Sequence, residues 1–243
     1  MTPSLPRPAR IAHVQDENTK TRTLVFDLRL EAGPGQFIMG WLPGVDEKPF
    51  SLVRAEPVTL TIARVGPFTE SVFALAPGDR FWIRGPLGRS FTLPTEPDCR
   101  ILLLAGGYGV APLHFLAERA RAAGLAVHVV IGARTAADVI FVDRFASLGA
   151  EVAVTTDDGS LGQRGLVTDA AERLLARGNF AALYACGPEP MLEAVETLAR
   201  ACSLPTQLSY EHYMRCGLGV CGSCARQGWL VCRDGPVKSL QMR

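Results

Sequence analysis

The chain has two stretches of different hydrophobic rhythm, followed by a third with neither. Up to about residue 97 the apolar residues come in short runs: TRTLVFDLRL, GQFIMGWL, VTLTIARV and DRFWIRG, some alternating with polar positions. Turn formers separate them, namely EAGPG, LPGVDEKP, APGD and GPLG. Short runs bounded by Gly, Pro and Asp are the pattern of β-strands. Several at this spacing predict a small barrel or sandwich.

From Arg100 the rhythm changes. ILLLAGG is a continuous apolar run, as expected of a parallel strand covered on both faces. VAPLHFLAERARAAG follows with helical periodicity, and Pro112 falls in the first turn, where its missing N–H costs nothing. AVHVVIGA, EVAVTTDDG and FAALYACG repeat the strand pattern. TAADVIFVDRFASLG, LVTDAAERLLARG and EPMLEAVETLARACS repeat the helical one. This alternation predicts a doubly wound parallel α/β sheet with right-handed crossovers. After Pro205 it stops, and the rest is rich in Gly and Cys. The expected class is thus α+β multidomain, divided at 1–97, 98–204 and 205–243.

The bulk numbers exclude some functions. A chain of 243 residues, 48% hydrophobic, can bury a sizeable core without covalent staples. Its 25 basic and 24 acidic residues leave no electrostatic reason to expect nucleic acid or an anionic membrane surface. No apolar run approaches the roughly 20 residues of a membrane span. MTPSLPRPARIAHVQDENTK has no apolar core of a secretory signal. The expectation is a cytoplasmic protein whose seven cysteines stay reduced.

Those cysteines are unevenly spread. Cys99, Cys186 and Cys202 are scattered, whereas Cys216, Cys221, Cys224 and Cys232 are crowded together with spacing C-x4-C-x2-C-x7-C. C-x4-C-x2-C with a later fourth Cys is the plant-type [2Fe–2S] arrangement. Gly217, Gly219 and Gly222 lie between the ligands, where bare backbone can wrap a cluster and turn N–H groups toward its sulfurs. A structural zinc site is the alternative, although zinc usually takes two separated Cys pairs.

Two further turns attract notice. AGGYGVAP, with Gly106, Gly107 and Gly109, joins the first strand of the α/β part to its first helix. CGPEPM, with Cys186, Gly187 and Pro188, follows the last strand. Gly-rich turns at the carboxyl ends of parallel strands suit a dinucleotide pyrophosphate; a plain tight βα turn is the bland reading. EKPFSL, GPFTES and GPLGRSF in the first stretch read as turns and do not by themselves suggest a ligand. The four histidines, His13, His114, His128 and His212, read as packed or solvated.

KPFS resembles the flavin signature of the ferredoxin-reductase superfamily, and AGGYGVAP and CGPEPM resemble its nicotinamide motifs. The cysteine segment with its VCRDGPV tail resembles the electron-transfer subunits of class B dihydroorotate dehydrogenases, over almost the whole chain. The resemblance implies an antiparallel β-barrel binding FAD, a sheet domain binding NAD and a small C-terminal [2Fe–2S] domain. It places Lys48, Pro49, Phe50 and Ser51 against the isoalloxazine and phosphates. Ile62, Ala63 and Arg64 would line the flavin, with Phe68 and Thr69 at the pyrophosphate. Lys48 stands where the family commonly has Arg, and the stretch from Cys224 to Cys232 is shorter than in several relatives. Relatives that use NADP carry Ser and Arg where this chain has Asp157 and Asp158, which implies NAD.

A flavin exchanges electrons singly or in pairs, so FAD belongs between a nicotinamide and an iron–sulfur cluster. That work needs no acid–base residue, and none is assigned. The resemblance further implies an FMN-containing dihydroorotate dehydrogenase catalytic subunit as partner, in a heterotetramer of two plus two. Related subunits of hydrogenases and of ferredoxin:NADP oxidoreductases share the layout. A non-redox zinc-binding module is the reading of a different class.

Overall fold

The computed structural model describes residues 5–241. Two compact units divide the chain: residues 5–90 with 212–236, and residues 91–211 with 237–241.

The first unit is built on β1 (Arg7–Asn18), β2 (Thr21–Phe26), β3 (Phe37–Leu42), β4 (Asp46–Ala55), β5 (Val58–Ala63), the short helix α1 (Pro67–Phe73) and β6 (Arg80–Leu87). The strands close into an antiparallel barrel in the order β1-β2-β5-β4-β3-β6. A sandwich is thereby excluded. Alternate residues of the strands fill the interior, among them Ile11, Leu24, Phe26, Ile38, Leu60 and Phe81, all buried. Phe26 stacks on Phe81 with 5.5 Å between ring centres. Gly40 makes room for that ring, since a Cβ there would lie 2.5 Å from it.

The four expected strands are β2, β3, β5 and β6. The structure adds β1 and β4. Both are polar along much of their length, so their strand character comes from partners on each side rather than from apolar content. EKPFSL is therefore strand, not turn: Pro49 sits within β4, opposite Met39 of β3. GPFTES likewise runs into α1, and GPLGRSF begins within β6.

Residues 212–236 add a two-residue hairpin, β13 (Ala225–Arg226) with β14 (Trp229–Leu230), and a single helical turn, α6 (Val231–Asp234). They bury Met214, Cys224, Val231 and Cys232 against Phe37, Met39 and Leu87 of the barrel wall.

The second unit contains β7 (Arg100–Gly106), α2 (Val110–Ala122), β8 (Ala126–Ala133), α3 (Val142–Ser147), β9 (Glu151–Thr156), β10 (Gln163–Arg164), α4 (Val167–Arg177), β11 (Ala182–Cys186), α5 (Glu189–Ala201), β12 (Thr206–Ser209) and β15 (Val237–Ser239). The sheet order is β10-β9-β8-β7-β11-β12-β15, parallel except for β15. Alternation thus continues one strand past Pro205. TAADVIFVDRFASLG is not one helix. Phe141 takes a left-handed conformation (φ 73°) and α3 starts only after it. That turn places the buried Phe141 ring edge-on to His114, 5.5 Å away. His114 also meets Phe145 at 5.4 Å, and His128 meets Phe180 at 5.2 Å, so both histidines are packing groups. No helix among the described residues is long and apolar enough to cross a membrane.

Candidate functional site

The sheet order decides where a ligand fits the second unit. Chain order along the parallel strands runs outward from β7 in both directions, so the winding reverses between β7 and β11. A crevice opens beyond the carboxyl ends of the strands at such a point. Ala105 and Cys186 are register partners there, which brings AGGYGVAP and CGPEPM side by side. A Cβ on Gly106 would lie 2.5 Å from Met191 Sδ and 2.9 Å from Pro188 Cδ; one on Gly109 would lie 2.0 Å from the Cys186 carbonyl oxygen. These two glycines let the two turns pack against each other through bare backbone, whereas a Cβ on Gly107 would meet nothing within 4 Å, so the open side of the turn is there. The Cys186 thiol is buried, and its pKa is pushed up by that burial, with the Glu211 carboxylate adding to the shift and the Ser209 hydroxyl opposing it. A thiol held neutral is a packing surface rather than a nucleophile.

Asp157 and Asp158 lie just past β9, at the same end of the sheet. Both are exposed. Asp158 accepts hydrogen bonds from the Ser160 hydroxyl (2.6 Å) and amide (2.9 Å), and these hold its carboxyl below the usual range. The turn thus presents fixed negative charge.

In the first unit, two separate motifs meet. Phe50 of β4 and Phe68 of α1 stack with 6.0 Å between ring centres and 26° between planes. KPFS and PFT are therefore neighbours. Thr69 Oγ1 accepts from the Val65 and Gly66 amides at 2.9 and 3.0 Å, fixing the turn into α1. Lys48 pairs with Asp46, and its ammonium lies 5.8 Å from the Tyr213 ring centre. Lys48 through Ser51 are half-buried. Ile62 is 1% exposed and belongs to the barrel core, so only its backbone faces outward; Ala63 is half-buried and the Arg64 side chain 45% exposed.

The four clustered cysteines occupy one short segment of the same unit. Cys224 and Cys232 are buried, Cys216 half-buried and Cys221 exposed. Backbone amides point at sulfur: Leu218 N–H to Cys216 Sγ (3.3 Å), Gly219 N–H to Cys232 Sγ (3.2 Å) and Cys232 N–H to Cys224 Sγ (3.5 Å). Gly217 and Gly219 make this possible with φ of 64° and 76°, a region that favours glycine. The Ser223 hydroxyl and amide, with Cys216, draw the Cys221 thiol down to about 6. Burial pushes Cys232 up to about 12, with the neighbouring Cys224 adding to it. Burial also opposes a Cys216 thiolate, yet the amides of Leu218, Cys221 and Val220 outweigh it. Among the described residues no three His, Cys, Asp or Glu side chains converge as a single ion would require. Four thiols on one short segment, three of them accepting backbone N–H donors, suit a two-iron cluster.

Sequence reasoning missed Arg84 and Glu47. The Arg84 guanidinium on β6 donates to both Glu47 carboxylate oxygens (3.0 and 2.8 Å) and to the Cys216 carbonyl (2.8 Å). The available signal was an arginine inside the apolar run FWIRG, which needs a buried partner. An open surface depression of about 510 Å³, lined by Pro6, Trp41, Gly44, Val45, Asp46, Glu47 and Arg84, contains none of the expected ligand residues.

Comparisons with known proteins agree with this geometry. Residues 211–241 match the iron–sulfur cluster binding domain of dihydroorotate dehydrogenase B, and residues 103–197 the oxidoreductase NAD-binding domain. A curated Thermococcus kodakarensis protein is 43% identical over 232 residues, covering 95% of each chain. One from Pyrococcus horikoshii is 46% identical over 213 residues, covering 87% of this chain and 81% of its own. Both bear the name of a dihydroorotate dehydrogenase B (NAD(+)) electron transfer subunit. Among solved structures, one of an NADH-dependent reduced ferredoxin–NADP oxidoreductase, studied for flavin-based electron bifurcation, matches with a TM-score of 0.82 at 28% identity, covering 98% of this chain and 90% of that one.

Proposed function

The chain belongs to the family of dihydroorotate dehydrogenase B (NAD(+)) electron transfer subunits, and from that premise we propose that it carries electrons from an FMN-containing catalytic chain, by way of a [2Fe–2S] cluster and FAD, to NAD⁺. The observation that carries this reading is the cysteine segment, in which three backbone amides donate to the sulfurs of Cys216, Cys224 and Cys232. When bound, the flavin exchanges electron pairs with the nicotinamide and single electrons with the cluster.

The chain's own residues bind and orient. Cys216, Cys221, Cys224 and Cys232 would hold the cluster. The amides of Leu218, Gly219 and Cys232 offset the charge of the thiolates. Lys48, Pro49, Phe50 and Ser51 seat FAD together with Phe68 and Thr69; Ile62 contributes through its backbone, beside Ala63 and Arg64. Gly106, Gly107, Gly109, Gly187 and Pro188 receive the NAD pyrophosphate and ribose, and Cys186 packs near the nicotinamide. Asp157 and Asp158 face the adenosine ribose. Function follows the three segments 1–97, 98–204 and 205–243. No residue of this chain is assigned as an acid or base toward dihydroorotate, so its oxidation to orotate is assigned to the partner, in a complex of two plus two chains. The cytoplasm is part of the same proposal, since an oxidising compartment would pair exposed thiols such as Cys221.

Anaerobically purified protein should hold one FAD and about two irons per chain. One zinc and no iron would overturn the cluster. Co-purification with its partner and assay of dihydroorotate-dependent NAD⁺ reduction tests the remainder. The similarity to the ferredoxin–NADP oxidoreductase supports a second reading with a different partner; ferredoxin reduction without dihydroorotate activity would favour it.

A further inference from the structure

Arg84 belongs to none of the motifs, yet it ties Glu47, at the head of EKPFSL, to Cys216, the first of the clustered cysteines. The Arg84 side chain is 9% exposed and that of Glu47 24%. Arg84 presents its Nε/Nη2 edge to Glu47. Nη2 also donates to the Cys216 carbonyl, so the Nη1/Nη2 end of the guanidinium faces the start of the cysteine loop. Nη1 is buried and makes no hydrogen bond among the described residues. A buried N–H left unmade is costly, which points to an acceptor on that side. Glu47 immediately precedes Lys48, the first residue of the flavin motif on β4.

We propose that Arg84, with Glu47 as its counter-charge, positions the Cys216 end of the cluster loop against strand β4 and sets the reduction potential of the cluster. This rests on the reading of Cys216 as an iron ligand. One electron reaching the cluster, from the partner's FMN or from FAD, adds one negative charge and makes or breaks no bond. A fixed cation at low exposure stabilises that added charge more than the same cation in water. Its nearby carboxylate opposes it. The pair therefore acts as a local field whose sign depends on which member is removed, and cluster potentials respond to such fields. Arg84 touches the ligand's backbone rather than any reacting atom, so it is a positioning residue.

The test is an anaerobic redox titration of the holoprotein followed by electron paramagnetic resonance. Arg84→Gln leaves Glu47 unopposed, and the midpoint falls; a tenfold change in the reduced-to-oxidised ratio at fixed potential corresponds to about 59 mV for one electron. Glu47→Gln leaves Arg84 unopposed, and the midpoint rises. The double variant returns close to the starting value. A merely structural tie would move both single variants the same way, so shifts of one sign, or none, overturn the inference. If Arg84→Gln fails to assemble a cluster, Glu47→Gln alone decides by whether its midpoint rises. An unaltered protein that holds no iron would instead defeat the cluster reading itself, and metal analysis before titration separates the two failures.

Discussion

Gly106 and Gly187 face each other across neighbouring strands so closely that a Cβ on Gly187 would lie 3.0 Å from the Gly106 Cα. The turns AGGYGVAP and CGPEPM are thus packed backbone to backbone, with the flexible Met191 Sδ nearer still, 2.6 Å from that Cβ. Their substitution separates binding from stability. Gly187→Ala should weaken NADH-dependent flavin reduction about tenfold or more, mostly through KM, with FAD content unchanged. Gly109→Ala should do more, because the obstacle there is the Cys186 backbone carbonyl rather than a yielding side chain; overpacking of that kind costs about 1–3 kcal/mol. Steady-state kinetics and thermal melts of both variants check this. An unchanged KM in Gly187→Ala would place the nucleotide elsewhere.

NADH should be preferred to NADPH by at least about tenfold in kcat/KM, a difference of about 1.4 kcal/mol. The Asp158 carboxyl is held below its ordinary pKa by Ser160, so it is ionised throughout the neutral range and repels a 2′-phosphate. Its folded pKa is depressed, so the preference is fully present above the ordinary carboxylate range and fades only as pH falls through the lowered value. Asp157→Ser combined with Asp158→Arg should narrow the gap. Equal kcat/KM for the two nucleotides in the unaltered protein would remove the assignment.

The four cysteines should not be equivalent when replaced by serine. Cys221→Ser, at an exposed position, should abolish the cluster and leave FAD and the melting temperature of the metal-free protein unchanged. Cys232→Ser places a hydroxyl in the apolar cluster formed with Met39, Leu87 and Val231 and should also destabilise the metal-free protein, by about 1–3 kcal/mol. Iron content, flavin absorbance and denaturant melts report all three quantities. Equal melts for the two variants would show that the cysteine segment does not share a core with the barrel wall.

Docking of the catalytic chain should depend on Val220 rather than on Trp229. An aromatic residue between the last two ligands suggests an anchor, but Trp229 is half-buried in that same apolar cluster, and a Cβ on Gly235 would lie 2.5 Å from its ring. Val220 is 78% exposed and Leu218 41% exposed, on the loop between Cys216 and Cys221. Val220→Asp should retain its cluster spectrum and bind the catalytic chain at least about tenfold more weakly, read by titration calorimetry. Trp229→Ala should instead lose about 2–3 kcal/mol of stability. If Val220→Asp binds the partner normally, the docking face is not this loop.

Much of this was legible from local pattern. Cys216 to Cys232 can be read directly because their spacing is itself the chemistry. ILLLAGG and FAALYACG are legible as buried strands because both faces are covered. Other features depend on distant partners. Strand β4 begins Asp-Glu-Lys-Pro and looks like a turn until β3 and β5 flank it. The stacking of Phe50 on Phe68, the adjacency of Gly106 and Gly187, and the Arg84–Glu47 pair join residues far apart in sequence, so no local window contains them. The break at Phe141 follows from where its ring packs, which helical periodicity does not register.

Strand β15 has a consequence for how such a chain can be taken apart and rebuilt. Val237 is the antiparallel register partner of Ser209, so residues 210–236 leave and re-enter the sheet at one point, like an oversized hairpin loop. The edge pair clamps both ends, and the closure entropy of a long loop grows only slowly with its length. That stretch is thus an insertion between β12 and β15, with its own packing partners, Phe37, Met39 and Leu87, on the barrel wall. Replacing it with a two-residue Asn-Gly turn would leave the β12–β15 ladder its hairpin geometry, whereas moving it to another reductase would require carrying the barrel-wall residues Phe37, Met39 and Leu87 with it.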